Sequence, residues 1–273
     1  MLVNGQQADS VSIEDRGLLY GDGVFETILC DQGQPVLFDQ HMHRLQKGCE
    51  RLLLAVQDTD TLRSEIMQVA KADDCVIKII ITRGVRSRGY RFDPADETHT
   101  RIIYRSPVPE IPAGYYHQGI SLAMSEYRLP GNHLLAGIKH LNRLDQVLAC
   151  RDWNPEFPEK LMLDQNDYVI EGTMSNIFIE TDGVLKTPRL NQSGIEGVMR
   201  EWLINHSQQL SIECQQQDFK LNELDSADAV FMCNSVVGIW PVSKFQNNDY
   251  SVSDNTRCLM RLLRDNLSAL YKT

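Results

Sequence analysis

A stretch of three prolines and two glycines, Ser106–Gly119 (SPVPEIPAGYYHQG), most restricts how this chain can fold. Proline removes a backbone donor and fixes φ, so a run this dense continues neither a helix nor a central strand. On each side of it, short β-branched runs alternate with amphipathic helical spacing. The expected fold class is therefore α+β, in two mixed α/β lobes. The division reads as a smaller N-terminal domain over 1–106, a linker over 107–119 and a larger C-terminal domain over 120–273. A chain of 273 residues is long enough for two modest cores.

In the first segment, Val24–Cys30 (VFETILC) reads as a strand, followed by a turn over Asp31–Pro35. Asp39 is the expected N-cap of a helix running to about Leu54, with Leu45, Cys49 and Leu52 on one stripe. A second helix is expected near Leu62–Lys71, and strands at Cys75–Thr82 (CVIKIIIT) and Arg101–Arg105. After the linker come a strand at Ile120–Ser125, a helix from about Asn142 to Asp152, and strands at Lys160–Asp164, Tyr168–Glu171, Asn176–Glu180 and Val184–Thr187. A helix over Val198–Gln209 follows. Strands at Ala229–Cys233 and Ile239–Val242 precede a closing helix bearing Leu259, Leu262, Leu263, Leu267 and Leu270.

Charge narrows the partners. Lys and Arg number 27 against 37 Asp and Glu, a formal net of -10. Such a surface repels phosphate backbones and anionic lipid, which argues against nucleic acid and membrane as partners. The expectation is a cytoplasmic protein: Met1–Asp15 has no basic region leading into an apolar core, and no apolar run is long enough to span a bilayer. Seven scattered cysteines without a CxxC pair fit reduced thiols, and no metal site is expected. His41 and His43, two apart on a helix, face different sides. Walker, HExxH and GxSxG patterns are absent.

Four places invite a chemical reading. Arg44 lies beside the apolar stripe, where a guanidinium either snorkels to water or grips an anion as a rigid fork. Lys139 sits between Ile138 and Leu141; it is either a solvated charge or an amine that desolvation keeps neutral and nucleophilic. Glu171 ends a strand at a Glu-Gly turn, as an ordinary turn carboxylate or as a partner for a protonated ring nitrogen. Gly194–Arg200 (GIEGVMR) leads into a helix whose free N–H groups suit an anion, and Asn234-Ser235 could add a second donor loop.

These residues occur in an order that resembles the fold type IV family of pyridoxal-phosphate enzymes, which includes branched-chain and D-amino-acid aminotransferases and aminodeoxychorismate lyases. The resemblance is carried by Asp15-Arg16-Gly17, Tyr20–Glu26 (YGDGVFE), His41–Leu45 (HMHRL), Lys139, Glu171–Phe178 (EGTMSNIF) and Gly194–Arg200, spread over nearly the whole chain. Within the family, Leu135–Leu148 (LAGIKHLNRLDQVL) is similar to the lysine region of the lyases. Thr27 places a hydroxyl where branched-chain aminotransferases usually carry glycine.

The resemblance implies the D-amino-acid aminotransferase-like fold and pyridoxal 5'-phosphate as cofactor. Lys139 would form the Schiff base, Arg44 would grip the phosphate with Gly197, Val198 and Ser235, and Glu171 would pair with the pyridine nitrogen. Asn142 would support the lysine. The implied reaction is loss of pyruvate from 4-amino-4-deoxychorismate to give 4-aminobenzoate, with Lys139 moving protons and Thr27 helping to position the substrate. That substrate carries two carboxylates, for which Arg88, Tyr90 and Arg101 are candidate clamps. The family implies a homodimer. The alternatives are an aminotransferase for D- or branched-chain amino acids and, in another class, a non-catalytic scaffold on the same fold.

Overall fold

The structure, a computed structural model, describes residues 1–86 and 88–271. It divides into two compact units, Met1–Pro109 with Ile138–Asn142, and Glu110–Gly137 with Arg143–Thr273.

The first unit holds β1 (Leu2–Val3), β2 (Gln6–Gln7), α1 (Arg16–Tyr20), β3 (Gly23–Asp31), β4 (Gln34–Pro35), α2 (Phe38–Leu52), α3 (Thr59–Ala70), β5 (Cys75–Thr82) and β6 (Thr100–Ser106). Its strands form one antiparallel sheet in the order β2-β1-β6-β5-β3-β4. Side chains alternate across a strand, so Val24, Ile28 and Cys30 share a face with Ile77, Ile79, Ile81 and Ile103. Phe38, Met42, Leu45 and Cys49 of α2, together with Leu62 and Ile66 of α3, cover that face and complete the core. Burying each large aliphatic contributes about 1.5–3 kcal/mol, which fixes which face the helices take.

Asp39 is not the cap of α2. The helix starts one residue before it, and Leu37 at the cap position is left-handed with φ 53° and makes no side-chain cap bond. Asp39 lies in the first turn, where its charge still suits the helix dipole. A true cap stands at α3, where Asp58 accepts from the Thr61 N–H at 2.8 Å, so this helix begins earlier than its apolar pattern suggested.

The second unit holds α4 (Gly114–His117), β7 (Ile120–Leu129), α5 (Leu144–Ala149), β8 (Glu159–Asp164), β9 (Val169–Gly172), β10 (Asn176–Thr181), β11 (Val184–Thr187), α6 (Val198–Ser207), β12 (Cys214–Gln216), α7 (Leu221–Asp225), β13 (Ala229–Asn234), β14 (Gly238–Phe245), β15 (Asn248–Asp249) and α8 (Asp254–Asn266). Its sheet runs β12-β11-β10-β13-β14-β7-β8-β9, with β15 beside β14. The pairs β14·β7, β7·β8 and β11·β12 are parallel. Phe178 and Phe231, on neighbouring strands, stack with centroids 4.9 Å apart at its centre.

Three expectations change here. The stretch 107–119 is not a plain linker, because it contains α4, whose Tyr116 is buried while Tyr115 meets Trp240 edge-on. Lys139 does not go with the C-terminal unit. Ile138–Asn142 joins the first, because Phe25 N–H donates to Lys139 O at 2.9 Å and Leu141 N–H to Gly23 O at 2.9 Å. Asn142 for the same reason is not helical: α5 starts at Leu144. Among the described residues, no helix is long and apolar enough to cross a membrane.

Candidate active site

Within the first unit, the lysine segment lies along β3. Besides the two backbone bonds, Val24 and His140 form an isolated bridge. The Lys139 ammonium sits 4.5 Å from the centroid of the Phe25 ring, an apolar neighbour that attracts a cation but offers it no proton acceptor. The C-terminal end of the segment is fixed by Asn142, whose Nδ2 donates to Gly21 O at 3.0 Å. Gly21 is left-handed at φ 65°, and a Cβ there would come within 2.6 Å of Asn142 Oδ1.

Phe25 and Thr27 share one face of β3, and Lys78 of β5 is the register partner of Thr27. The Lys78 ammonium also approaches the Phe25 ring, at 4.7 Å, so one aromatic ring lies against two lysine heads. Lys78 is half-buried, and desolvation lowers its pKa below the usual lysine value. The sequence marks it only faintly. Its signal was a lone charge inside CVIKIIIT, in register with Thr27.

The other face of β3 presents Glu26, wholly buried. Arg44 donates from Nε to Oε1 at 2.7 Å and from Nη2 to Oε2 at 2.6 Å, and His41 Nδ1 lies 2.7 Å from Oε2. Burial pushes the Glu26 carboxyl up, but the charges of Arg44 and His41 and their hydrogen bonds outweigh it and hold the pKa at about 2. For His41 burial is the largest effect and lowers its pKa against the pull of Glu26. An ionised carboxylate only accepts, so the neutral imidazole carries its proton on Nδ1. Nε2 is then a buried acceptor with no hydrogen-bond partner among the described residues. Two nitrogens of the Arg44 fork, Nε and Nη2, are thus engaged by Glu26. Glu26 and His41 were legible: period two puts a carboxylate among core residues of β3, and period 3.6 puts His41 and Arg44 on one side of α2. His43 is exposed on the other side.

In the second unit, Glu171 is buried near the end of β9. Its Oε2 accepts from Ile195 N–H at 2.8 Å, and Gln146 Nε2 lies 3.4 Å from Oε1. Arg143 is close enough for the two charges to act on each other. The Gly194–Gly197 turn is tightly built. Gly194 has φ 84°, and a Cβ there would lie 2.8 Å from Ile170 and Leu190. Asn176 Nδ2 donates to Ile195 O at 2.9 Å, and its Oδ1 would lie only 1.9 Å from a Cβ on Gly197. Gly197 is the N-cap of α6 and provides no side-chain cap, which leaves first-turn N–H groups, starting at Val198, suited to an anion. Ser235 lies in the β13–β14 hairpin, where Asn234 Oδ1 accepts from Val236 and Val237 N–H at 2.9 Å each.

The candidate clamps separate. Arg101 is not one: its Nε and Nη2 are bound by both oxygens of Glu65 at 2.7 and 2.6 Å, and Nη1 reaches Gln57 at 3.1 Å. It falls on the helix-covered face of the sheet, where α3 supplies the counter-charge. Arg88 and Tyr90 are exposed on a loop that Arg16 pins by donating to Gly89 O at 2.5 Å and Tyr90 O at 3.4 Å.

The amino-transferase class IV family matches residues 23–245. An aminodeoxychorismate lyase from Vibrio harveyi is 35% identical over 97% of this chain and 98% of its own. The crystal structure of 4-amino-4-deoxychorismate lyase from Pseudomonas aeruginosa superimposes with a TM-score of 0.93 at 42% identity, covering 97% of this chain and 98% of that one. The branched-chain amino acid aminotransferase of Escherichia coli follows at 27% identity and a TM-score of 0.81, covering 95% and 91%. Lys139, Glu171 and the turn before α6 all fall inside the matched region, and with relatives this similar over their whole length the chain belongs to the class IV aminotransferase family.

Proposed function

We propose that this protein is a pyridoxal 5'-phosphate-dependent lyase that converts 4-amino-4-deoxychorismate to 4-aminobenzoate and pyruvate. The observation that carries the reading is the Lys139 amine held over the Phe25 ring beside Thr27 and a second lysine, Lys78, in a chain 42% identical to a protein of that name.

The donor set fits the cofactor. Lys139 would hold it covalently, and the uncapped start of α6 at Gly197 and Val198, with Ser235 and Arg44, would take its phosphate. Glu171 would hold its ring nitrogen protonated, and Asn142 keeps the lysine segment on its strand. When bound, the cofactor supplies an electron sink for the charge left by proton removal.

The chain's own residues do the rest. Once the substrate amine has taken its place, the freed Lys139 amine would take the proton from the ring carbon bearing the substrate nitrogen. The bond between ring carbon and enolpyruvyl oxygen then breaks, the ring becomes aromatic, and the same lysine returns the proton to the enolpyruvyl methylene. No water is consumed, so one base serves both steps. Thr27 lies on the Phe25 face, placed to orient the ether side. Lys78 replaces Arg101 as the cation for one substrate carboxylate, and Arg88 with Tyr90 is the candidate for the other. The working unit is proposed to be a cytoplasmic homodimer: exposed Ile13, Leu18 and Leu19 near the pinned loop suit a second copy, and seven free cysteines suit a reducing compartment.

Borohydride reduction followed by peptide mapping is expected to label Lys139 alone, and the purified protein to release pyruvate and 4-aminobenzoate in equal amounts. Label on another lysine, or amination of a keto acid without ring product, rejects the assignment.

A further inference from the structure

Glu159 begins β8 and is wholly buried, yet no cation among the described residues pairs with it. Its Oε1 accepts from the N–H of Lys160 at 2.9 Å and of Thr173 at 2.8 Å, and from Thr173 Oγ1 at 2.5 Å. Its Oε2 accepts from Met174 N–H at 3.2 Å and Ser175 Oγ at 2.5 Å. The neighbouring ammonium of Lys160 is turned to Asp152, at 2.5 Å. A carboxylate ringed by neutral donors is an expensive way to fill a core, since burial without a counter-charge costs several kcal/mol. What it gains is geometry. Four of its five donors belong to one turn, Gly172–Ser175, directly after Glu171. A Cβ on Gly172 would lie 2.7 Å from the Glu159 carboxyl carbon, so the turn closes onto this group with no room for a side chain. The same turn reaches the hairpin with Ser235, because Asn234 Nδ2 donates to Met174 O at 3.2 Å.

We infer that Glu159 is a positioning residue whose carboxylate shapes the Gly172–Ser175 turn and thereby sets the Glu171 carboxylate and the Asn234–Ser235 hairpin. All five neighbouring groups point donors at the centre of this ring. Glutamine has the same shape but points N–H donors at donors, so it leaves the turn unfastened. The inference rests on the proposed function only for what Glu171 then does.

Two readouts on the full-length Glu159→Gln protein test it and keep the two ideas apart. In the apo form, hydrogen exchange at the amides of Thr173, Met174, Val236 and Val237 is expected to speed up at least about tenfold, with protection in β3 and β5 unchanged. Unchanged exchange in the turn overturns the inference whatever Glu171 does. In the cofactor-loaded form, the pH midpoint of the visible absorbance is expected to move in the same direction as in Glu171→Gln, and the double variant to move no further than Glu171→Gln alone. A shift with Glu171→Gln but none with Glu159→Gln overturns the inference; no shift with either, alongside faster exchange, rejects the role of Glu171 and leaves the turn-shaping role standing. Should Glu159→Gln not fold, Ser175→Ala removes one donor only, and faster exchange at Met174 is its expected result, unchanged exchange the contrary one.

Discussion

Glu26 and Glu159 are both completely buried, one in each unit, and physics treats them oppositely. Glu26 is gripped by Arg44 and His41 and is driven far below the ordinary carboxylate value. Among the described residues Glu159 accepts only from neutral donors, and burial, the largest effect, raises its pKa despite five hydrogen bonds. The first holds two side chains of a helix against a strand. The second holds a turn. Charge partners decide which job a buried carboxylate can do, because a cation fixes the charge state whereas amides and hydroxyls fix the shape.

The strongest way to break this contrast is Glu26→Ala, which takes the Glu26 carboxylate away from the buried Arg44 guanidinium. The expected loss is roughly 3–5 kcal/mol in denaturant unfolding, and a loss below about 1 kcal/mol would end the comparison. Acid titration comes next. A carboxyl lowered from 4.5 to about 2 stabilises the fold above pH 4.5, and this is lost as pH falls towards 2. The stability gap between wild type and Glu26→Gln should therefore shrink over that range, by on the order of 3 kcal/mol. For Glu159 the sign reverses, since a raised value favours the neutral form in the fold. Its stabilisation is present at low pH and fades as pH rises, so the gap to Glu159→Gln should widen on acidification. Parallel slopes for the two variants would refute the assignment.

Arg101→Ala sharpens the comparison with a third ion pair. It should cost about 1–3 kcal/mol, because Glu65 loses both its donors, while KM for the substrate stays unchanged. A raised KM would return Arg101 to the site. The smallest effect is expected from Thr173→Val, which removes one of the five Glu159 bonds at about 1 kcal/mol without altering volume.

Much of the fold was readable because hydrophobic periodicity is a local signal. CVIKIIIT could be nothing but a strand, and the stripe through Leu45 and Cys49 nothing but a helix facing it. Residues whose role depends on a partner distant in sequence were harder. Arg101 looked like a substrate clamp because Glu65, thirty-six residues earlier, carries no mark of its pairing. Lys78 stands out only once register sets it across from Thr27. Glu159 carries no mark in the sequence of the turn that closes on it fourteen residues later. Asp39 was misjudged for a local reason: a left-handed leucine can start a helix where a capping carboxylate was expected.

The five residues Ile138–Asn142 belong to one unit while the chain on both sides of them belongs to the other. The polypeptide therefore passes between units three times, at 109/110, 137/138 and 142/143. A protease cutting the exposed prolines near Pro112 would sever only the first passage. The nicked protein should still elute intact, since the strip bearing Lys139 remains stitched to β3 by its own main chain.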